Sequence, residues 1–383
     1  MRISPFIFCL ITLMLAQSTP ATAQHAEGTV PFEMLSHLMV TKVRINASER
    51  EYNFVIDTGG VVFIDKSLAQ ELGLKQMGVQ AKMDSLDLPG FRIHKVFAFT
   101  TFDFSRFEAL GTPIHGIIGS NLMERYRVTI DFKASSISFS GDTTDLEAPE
   151  GSLLLPFRSH PVNSAPIVHF LAGEDSLEGM IDTGQPYPVV FPLDNFEEYD
   201  SLYVIDSVRS SGLMEEWPAP GADHNYLARL RSIEFGSMKI DSAICLFAEL
   251  PEMLSMPLIG NDFLTQFKIV IDYPNHTMLM IPHDDIDFET NVFSAGLNPD
   301  VSKDGEVFVK GVWEGSPADR AGVEVGDRIL SFDSQEITPV NLMDLIELLE
   351  DDATESVTLE ILHQDAAREV NLEKAMLLGG ASR

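Results

Sequence analysis

Two stretches of this chain repeat each other at a fixed spacing, and the repeat limits the folds open to it. "PFEMLSHLMVTKVRINASEREYNFVIDTGG" begins at Pro31 and "PFRSHPVNSAPIVHFLAGEDSLEGMIDTGQ" at Pro156, so Pro31 and Pro156, like Asp57 and Asp182, lie 125 residues apart. Further on, "IIGSNLMERYRVTIDF" (117–132) aligns without a gap on "LIGNDFLTQFKIVIDY" (258–273). Between these anchors "SLDLPGFRI" is matched by "SIEFGSMKI", with one residue displaced at the turn. A chain of 383 residues has room for two or three domains, and anchors matched at both ends make two of them copies of one unit. Short apolar runs such as "HLMVTKVRI" and "APIVHFL", separated by turn residues, predict that the unit is all-β.

The segments "SGDTTDLEAPEG" (140–151) and "PHDDIDFETN" (282–291) are polar and acidic, and both read as linkers. They divide the chain into units at 27–145, 148–284 and 289–376.

The repeated motif carries the chemistry. One D-T-G triplet arises by chance in about one such chain in ten. Two, each preceded by isoleucine at equivalent positions, form a constellation. If the units pack about a pseudo-two-fold axis, Asp57 and Asp182 meet at their interface. Carboxylates a few ångströms apart do not both ionise cheaply, so the pair shares one proton and titrates as a unit. The ionised member then takes a proton from water while the protonated one hydrogen-bonds a carbonyl under attack. Gly59 and Gly184 allow a tight turn beside the carboxylates. Thr58 and Thr183 are placed to hydrogen-bond across the interface, and Ile56 and Ile181 finish buried strands. Gly119 and Gly260 end the second apolar anchor, where a glycine permits another backbone to pass closely. Asp131 and Asp272 repeat as well, but without Thr-Gly they read as strand ends.

These motifs resemble those of the retropepsin-like aspartic peptidases, with D-T-G followed by an apolar-apolar-Gly element, over about residues 30–282. Both lobes here lie on one chain, as in pepsin-like enzymes. The resemblance implies a mainly β fold of two acid-protease lobes in a pseudo-two-fold arrangement. It also implies endopeptidase activity, with Asp57 and Asp182 as the catalytic pair and Thr58, Gly59, Thr183, Gly184, Gly119 and Gly260 as supporting residues. The residue after D-T-G, commonly Ala, Ser or Thr in that family, is Gly60 in one unit and Gln185 in the other, and both are candidates for substrate contact. The aspartate-to-glycine span is 62 residues in the first unit and 78 in the second. The extra length falls in "SGLMEEWPAPGADHNYL" (211–227), a candidate flap or specificity loop.

The C-terminal third reads differently. In "GSPADRAGVEVGDRILSFDSQEI" (315–337), Ser316 is an N-cap, Pro317 takes the first helical position and Gly322 ends a short helix. "NLMDLIELLED" (341–351) is an amphipathic helix with Leu342, Leu345, Ile346 and Leu349 on one face. "SVTLEILH" alternates as a strand. This pattern resembles the PDZ domains of secreted and periplasmic bacterial proteases, an α+β fold that holds peptide C-termini by strand addition. By position, Ala295, Gly296 and Leu297 in "SAGLN" (294–298) would form its carboxylate-binding loop.

Composition narrows the partners. Acidic residues outnumber basic ones 58 to 26, and no basic stripe or phosphate clamp is visible, which argues against nucleic acid. Arg2, the apolar run Pro5 to Leu15 and Ala21-Thr22-Ala23 form a secretory leader, residues 1–23, with cleavage near Ala23. The mature chain is therefore expected in the periplasm or outside the cell, with no transmembrane segment. It keeps one cysteine, Cys245, in an apolar stretch that predicts a buried thiol. The histidines form no metal-ligand cluster, His115 reads as a surface residue, and neither cofactor nor metal is expected.

The reading is an exported aspartic endopeptidase acting on peptides or unfolded proteins, with a PDZ domain that recruits C-termini. The alternative, from a different class, is a catalytically inactive peptide-binding protein using the same cleft and groove.

Overall fold

The computed structural model describes residues 27–142, 144–214, 221–251, 255–302 and 304–379. The expected leader and the middle of the candidate flap, 215–220, lie outside the described residues. The chain is mainly β, and its two repeated halves share one strand arrangement.

In the first half the strand Tyr52–Asp57 runs parallel to Gly116–Gly119, with Asp57 level with Gly119. Phe63–Ile64 lies antiparallel on the far side of that glycine strand. In the second half Asp175–Ile181 runs parallel to Leu258–Ile259, with Val189–Pro192 antiparallel beyond it. Each D-T-G turn must therefore cross over the strand inserted between its flanks. That crossing explains the anchoring glycines. A Cβ on Gly119 would overlap the backbone of Gly60 and Val61, and one on Gly260 would overlap the carbonyls of Gln185 and Tyr187.

The long hairpin of each half buries apolar side chains along its length. In Gln80–Leu88, Ala81 and Met83 lie on one face and Leu86 and Leu88 on the other, all four buried, and Phe91–Phe99 pairs with the strand throughout. The counterparts are Tyr226–Phe235 and Met238–Ala248.

Both halves contribute to one six-stranded antiparallel sheet, ordered Gly28–Pro31, Ser136–Ser140, Arg127–Asp131, Phe267–Asp272, Thr277–Pro282 and Leu153–Ser159. The register is symmetric. Pro31 pairs with Ser136 as Pro156 pairs with Thr277, and the central strands cross with Thr129 opposite Val270. A single core cluster draws residues from both halves, including Ile56, Ile130, Ile181 and Ile271.

Three expectations change. The 282–291 segment is more than a linker: Ile286 and Phe288 pack against the shared core, and the Phe288 ring stacks on Phe263 at 5.7 Å. Acidic neighbours masked these two apolar residues in the sequence. His115 is half-buried rather than on the surface, its Nδ1 accepting the Asn53 N–H, and burial lowers its pKa. Asp131 and Asp272 do end strands, and each also makes a cross-half ion pair: Asp272 with Arg127 and Asp131 with Lys268.

The C-terminal unit has its own core, in which Leu342, Leu345 and Leu349 of the helix Leu342–Glu350 face Val309, Ile329 and Leu359. The Ser316 side chain caps the helix Pro317–Arg320 by accepting the Asp319 N–H, and Gly322 follows with φ of 70°. The unit is not tethered loosely. Its strand Val307–Trp313 pairs antiparallel with Val204–Gly212 of the second half, placing Ser210 opposite Trp313 and Gly212 opposite Gly311. Cys245 is fully buried, and burial pushes its thiol pKa up.

Candidate active site

The two D-T-G turns meet where the halves join, and their threonines interlock. The Thr58 N–H donates to Thr183 Oγ1 at 3.0 Å, and the Thr183 N–H donates to Thr58 Oγ1 at 3.1 Å. Each hydroxyl in turn donates across the seam, Thr58 to the Ile181 carbonyl at 2.8 Å and Thr183 to the Ile56 carbonyl at 3.3 Å. Both threonines are buried, so these four bonds use every donor and leave nothing for water to replace. Behind each threonine stands the first residue of a short helix. Ser120 Oγ donates to the Thr58 carbonyl at 2.6 Å, and Asn261 Nδ2 donates to the Thr183 carbonyl at 2.8 Å. Further cross-seam contacts run from Asn163 Nδ2 to the Gly59 carbonyl and from Asn261 Nδ2 to the His37 carbonyl.

This scaffold brings Asp57 and Asp182 together. Each carboxyl accepts the N–H two residues on: Gly59 to Asp57 at 2.7 Å, and Gly184 to Asp182 at 2.9 Å. The glycines also face the opposite aspartate. A Cβ on Gly59 would overlap the Asp182 carboxyl, and one on Gly184 would lie 3.0 Å from the Asp57 carboxyl carbon. The two carboxyl groups lie close enough for each to shift the other's titration.

Their electrostatics differ. Enclosure raises both above the ordinary carboxylate range. Hydrogen bonds from Gly59, Asp182 and Gly60 and the nearby His37 pull Asp57 back down. Asp182 is driven well above that range by the same enclosure and by the charge on Asp57, with the Gly184 N–H opposing only in part. Both carboxyls are thus pushed toward holding a proton, Asp182 the more strongly.

The other candidates fall in varied surroundings. Gly60 lies against the Asp57 carboxyl, where any side chain would press on Oδ2. Gln185 is only 7% exposed; its carbonyl accepts the Asn261 N–H at 2.8 Å, so its backbone braces the turn. In the C-terminal unit Ala295 is fully buried and Leu297 pairs opposite Val312. Two surface depressions, one beside Glu33, Lys42 and Glu51, the other beside Arg44, Asp87 and Arg92, include neither aspartate of the pair. Among the described residues no group of three or more His, Cys, Asp or Glu side chains is placed to hold a metal ion, and no helix is long and apolar enough to cross a membrane.

The sequence points to the aspartates, threonines and glycines but not to Asn163. It offers Ser120 and Asn261 only as caps of the short helices after the glycines, whereas the N-caps are Gly119 and Gly260 and the two side chains bond the D-T-G turns instead. Ser120 and Asn261 carried a signal: they occupy matched positions directly after the repeated glycine. Asn163 carried none, because its partner is a backbone carbonyl 104 residues away.

Comparison with known families places a PDZ domain at residues 308–362, within the C-terminal unit. No curated protein matches the chain.

Proposed function

We propose that the chain is an aspartic endopeptidase of the retropepsin-like kind, its two lobes fused in tandem, with the PDZ domain as a recruiter of protein C-termini. The observation that supports this most is the pair of enclosed carboxyls held by the reciprocal Thr58–Thr183 bonds.

In this reading a water lies between the two carboxyls. The ionised member of the pair removes its proton as the oxygen attacks the peptide carbonyl, while the protonated member donates its proton to the carbonyl oxygen. The tetrahedral product then collapses, the C–N bond breaks, and the leaving nitrogen takes a proton from the dyad. No covalent enzyme intermediate forms. The carboxyls exchange roles in the course of the reaction, so replacing either should stop it. Export by the 1–23 leader belongs to the same proposal and would place the enzyme among unfolded or secreted substrates.

The test is direct. The processed chain and its Asp182→Ala variant are incubated with a mixture of unfolded proteins from about pH 3 to about pH 8, and new termini are identified by mass spectrometry. Cleavage present in the parent and absent in the variant is the expected result. Two folded proteins that cleave nothing at any pH would reject the reading in favour of peptide binding alone.

A further inference from the structure

The loop Ala295–Leu297 is not a free tip. Gly296 adopts φ of 86°, a conformation that side chains rarely tolerate, and its carbonyl accepts the Trp313 N–H at 2.9 Å. The Ser316 hydroxyl reaches the same carbonyl at 3.4 Å, while the Gly296 N–H is taken by the Ser294 hydroxyl at 3.0 Å. A carboxylate seated in this loop draws on backbone N–H groups. Its arrival competes with Ser294 for Gly296 and disturbs the turn that holds Trp313.

Trp313 leads away from the loop. It is 4% exposed, lies opposite Ser210 of the second half, and shares one buried apolar cluster with Met180, against which Tyr187 also packs. Met180 stands two residues before Asp182 and Tyr187 five after it. A second route converges on the same place. Asn298, next to the loop, donates its side-chain amide to the Leu213 carbonyl at 3.0 Å, and the Tyr187 hydroxyl donates to the Met214 carbonyl at 3.0 Å. The apolar cluster around Val55, near Asp57, is built from the first half alone.

We propose that the PDZ carboxylate loop is coupled to Asp182 through Trp313, Met180 and Tyr187, so that a peptide C-terminus bound in the groove changes the rate of cleavage at the dyad. Trp313 is a positioning residue in this scheme, reaching the dyad from the Asp182 side. The output rests on the peptidase reading; the conformational link does not.

The chain contains two tryptophans, Trp217 and Trp313, so Trp217→Phe leaves Trp313 as the sole tryptophan, excited selectively over the tyrosines at the red edge. The processed chain with that change is titrated with a pool of peptides of about ten residues, randomised at the C-terminal positions, in free-carboxylate and carboxamide forms. The carboxylate pool should shift Trp313 emission saturably in that protein and change kcat/KM of the unsubstituted chain on an unfolded protein about fivefold or more, whereas the carboxamide pool should do neither. Trp313→Phe should still bind a labelled carboxylate pool while its cleavage no longer responds. Hydrogen exchange across 210–214 in the unsubstituted chain reads the same event without relying on either variant.

A carboxylate pool that does not bind, that binds and leaves emission and exchange unmoved, or that leaves the rate of a cleaving protein unmoved, overturns the coupling. An emission shift in a folded protein that cleaves nothing at any pH upholds the conformational link and rejects the peptidase reading.

Discussion

Thr129 and Val270 face each other across the two middle strands of the six-stranded sheet, and each is the other's counterpart in the repeat. The axis relating the halves therefore passes between them. Two residues to either side, the register sets Arg127 opposite Asp272 and Lys268 opposite Asp131, one ion pair generated twice.

The two copies should not be equal in energy. Asp272 is 1% exposed and also accepts hydrogen bonds from Asn275, whereas Asp131 is 22% and Lys268 44% exposed. Arg127→Ala leaves a buried carboxylate without its cation and should cost about 3–5 kcal/mol. Lys268→Ala should cost about 1 kcal/mol or less. Urea unfolding of both variants measures the difference, and equal losses would contradict it.

Removing one hydroxyl from the threonine interlock is a sharper perturbation than its size suggests. Thr58→Val keeps the shape but strands the Thr183 N–H and the Ile181 carbonyl in a buried site, at about 1–3 kcal/mol for each unsatisfied group. Thr58→Ser restores the hydroxyl and should recover most of the loss. Melting temperature and cleavage rate followed together would show whether the pair is positioned by these bonds.

The glycines beside the dyad differ in how much room they leave. Gly59→Ala drives a methyl group into the Asp182 carboxyl, while Gly184→Ala needs its neighbour to give by only a few tenths of an ångström. The first should lower kcat by about a hundredfold or more and the second far less, since misplacement by about 1 Å has that scale of cost. Kinetics on both proteins, with circular dichroism to check folding, decide it.

Stability should fall as the dyad is made to ionise. In the unfolded chain both carboxyls titrate near ~4, and in the folded chain burial raises both, Asp182 most. Between the unfolded and folded values the native state holds more protons, so stability declines as pH rises through that window. Asp182→Asn cannot ionise and should melt above the parent at neutral pH, by about 2–4 °C per kcal/mol recovered, with the gap closing below the carboxylate range. Calorimetry across that range would show a constant gap if the dyad were not its source.

What the sequence made legible was whatever depended on a local pattern or on the repeat. The D-T-G turns, the crossing glycines and the Ser316-capped helix each have their cause within a few residues. The cross-half pairing of Arg127 with Asp272 did not show, because a strand end looks the same whether or not a cation waits 145 residues away. Phe288 was hidden by its acidic neighbours. Least visible was the pairing of Val204–Gly212 with Val307–Trp313, which is made by backbone groups and leaves no side-chain signature. Gln185, read as reaching for substrate, is a long polar side chain whose enclosure depends on how the turn closes over Gly260.

The symmetric sheet has a further consequence for how such a chain changes over generations. In an assembly of two identical subunits every substitution appears twice, and a hairpin that gains length gains it on both sides of the cleft. Joining the copies in one gene releases that constraint. The first hairpin here turns within a few residues between Lys75–Met77 and Gln80–Leu88, while its twin, Val204–Gly212 with Tyr226–Phe235, has become the landing edge for a third domain. A single attachment per pair of aspartates, on one side only, is open to a tandem chain and closed to a homodimer.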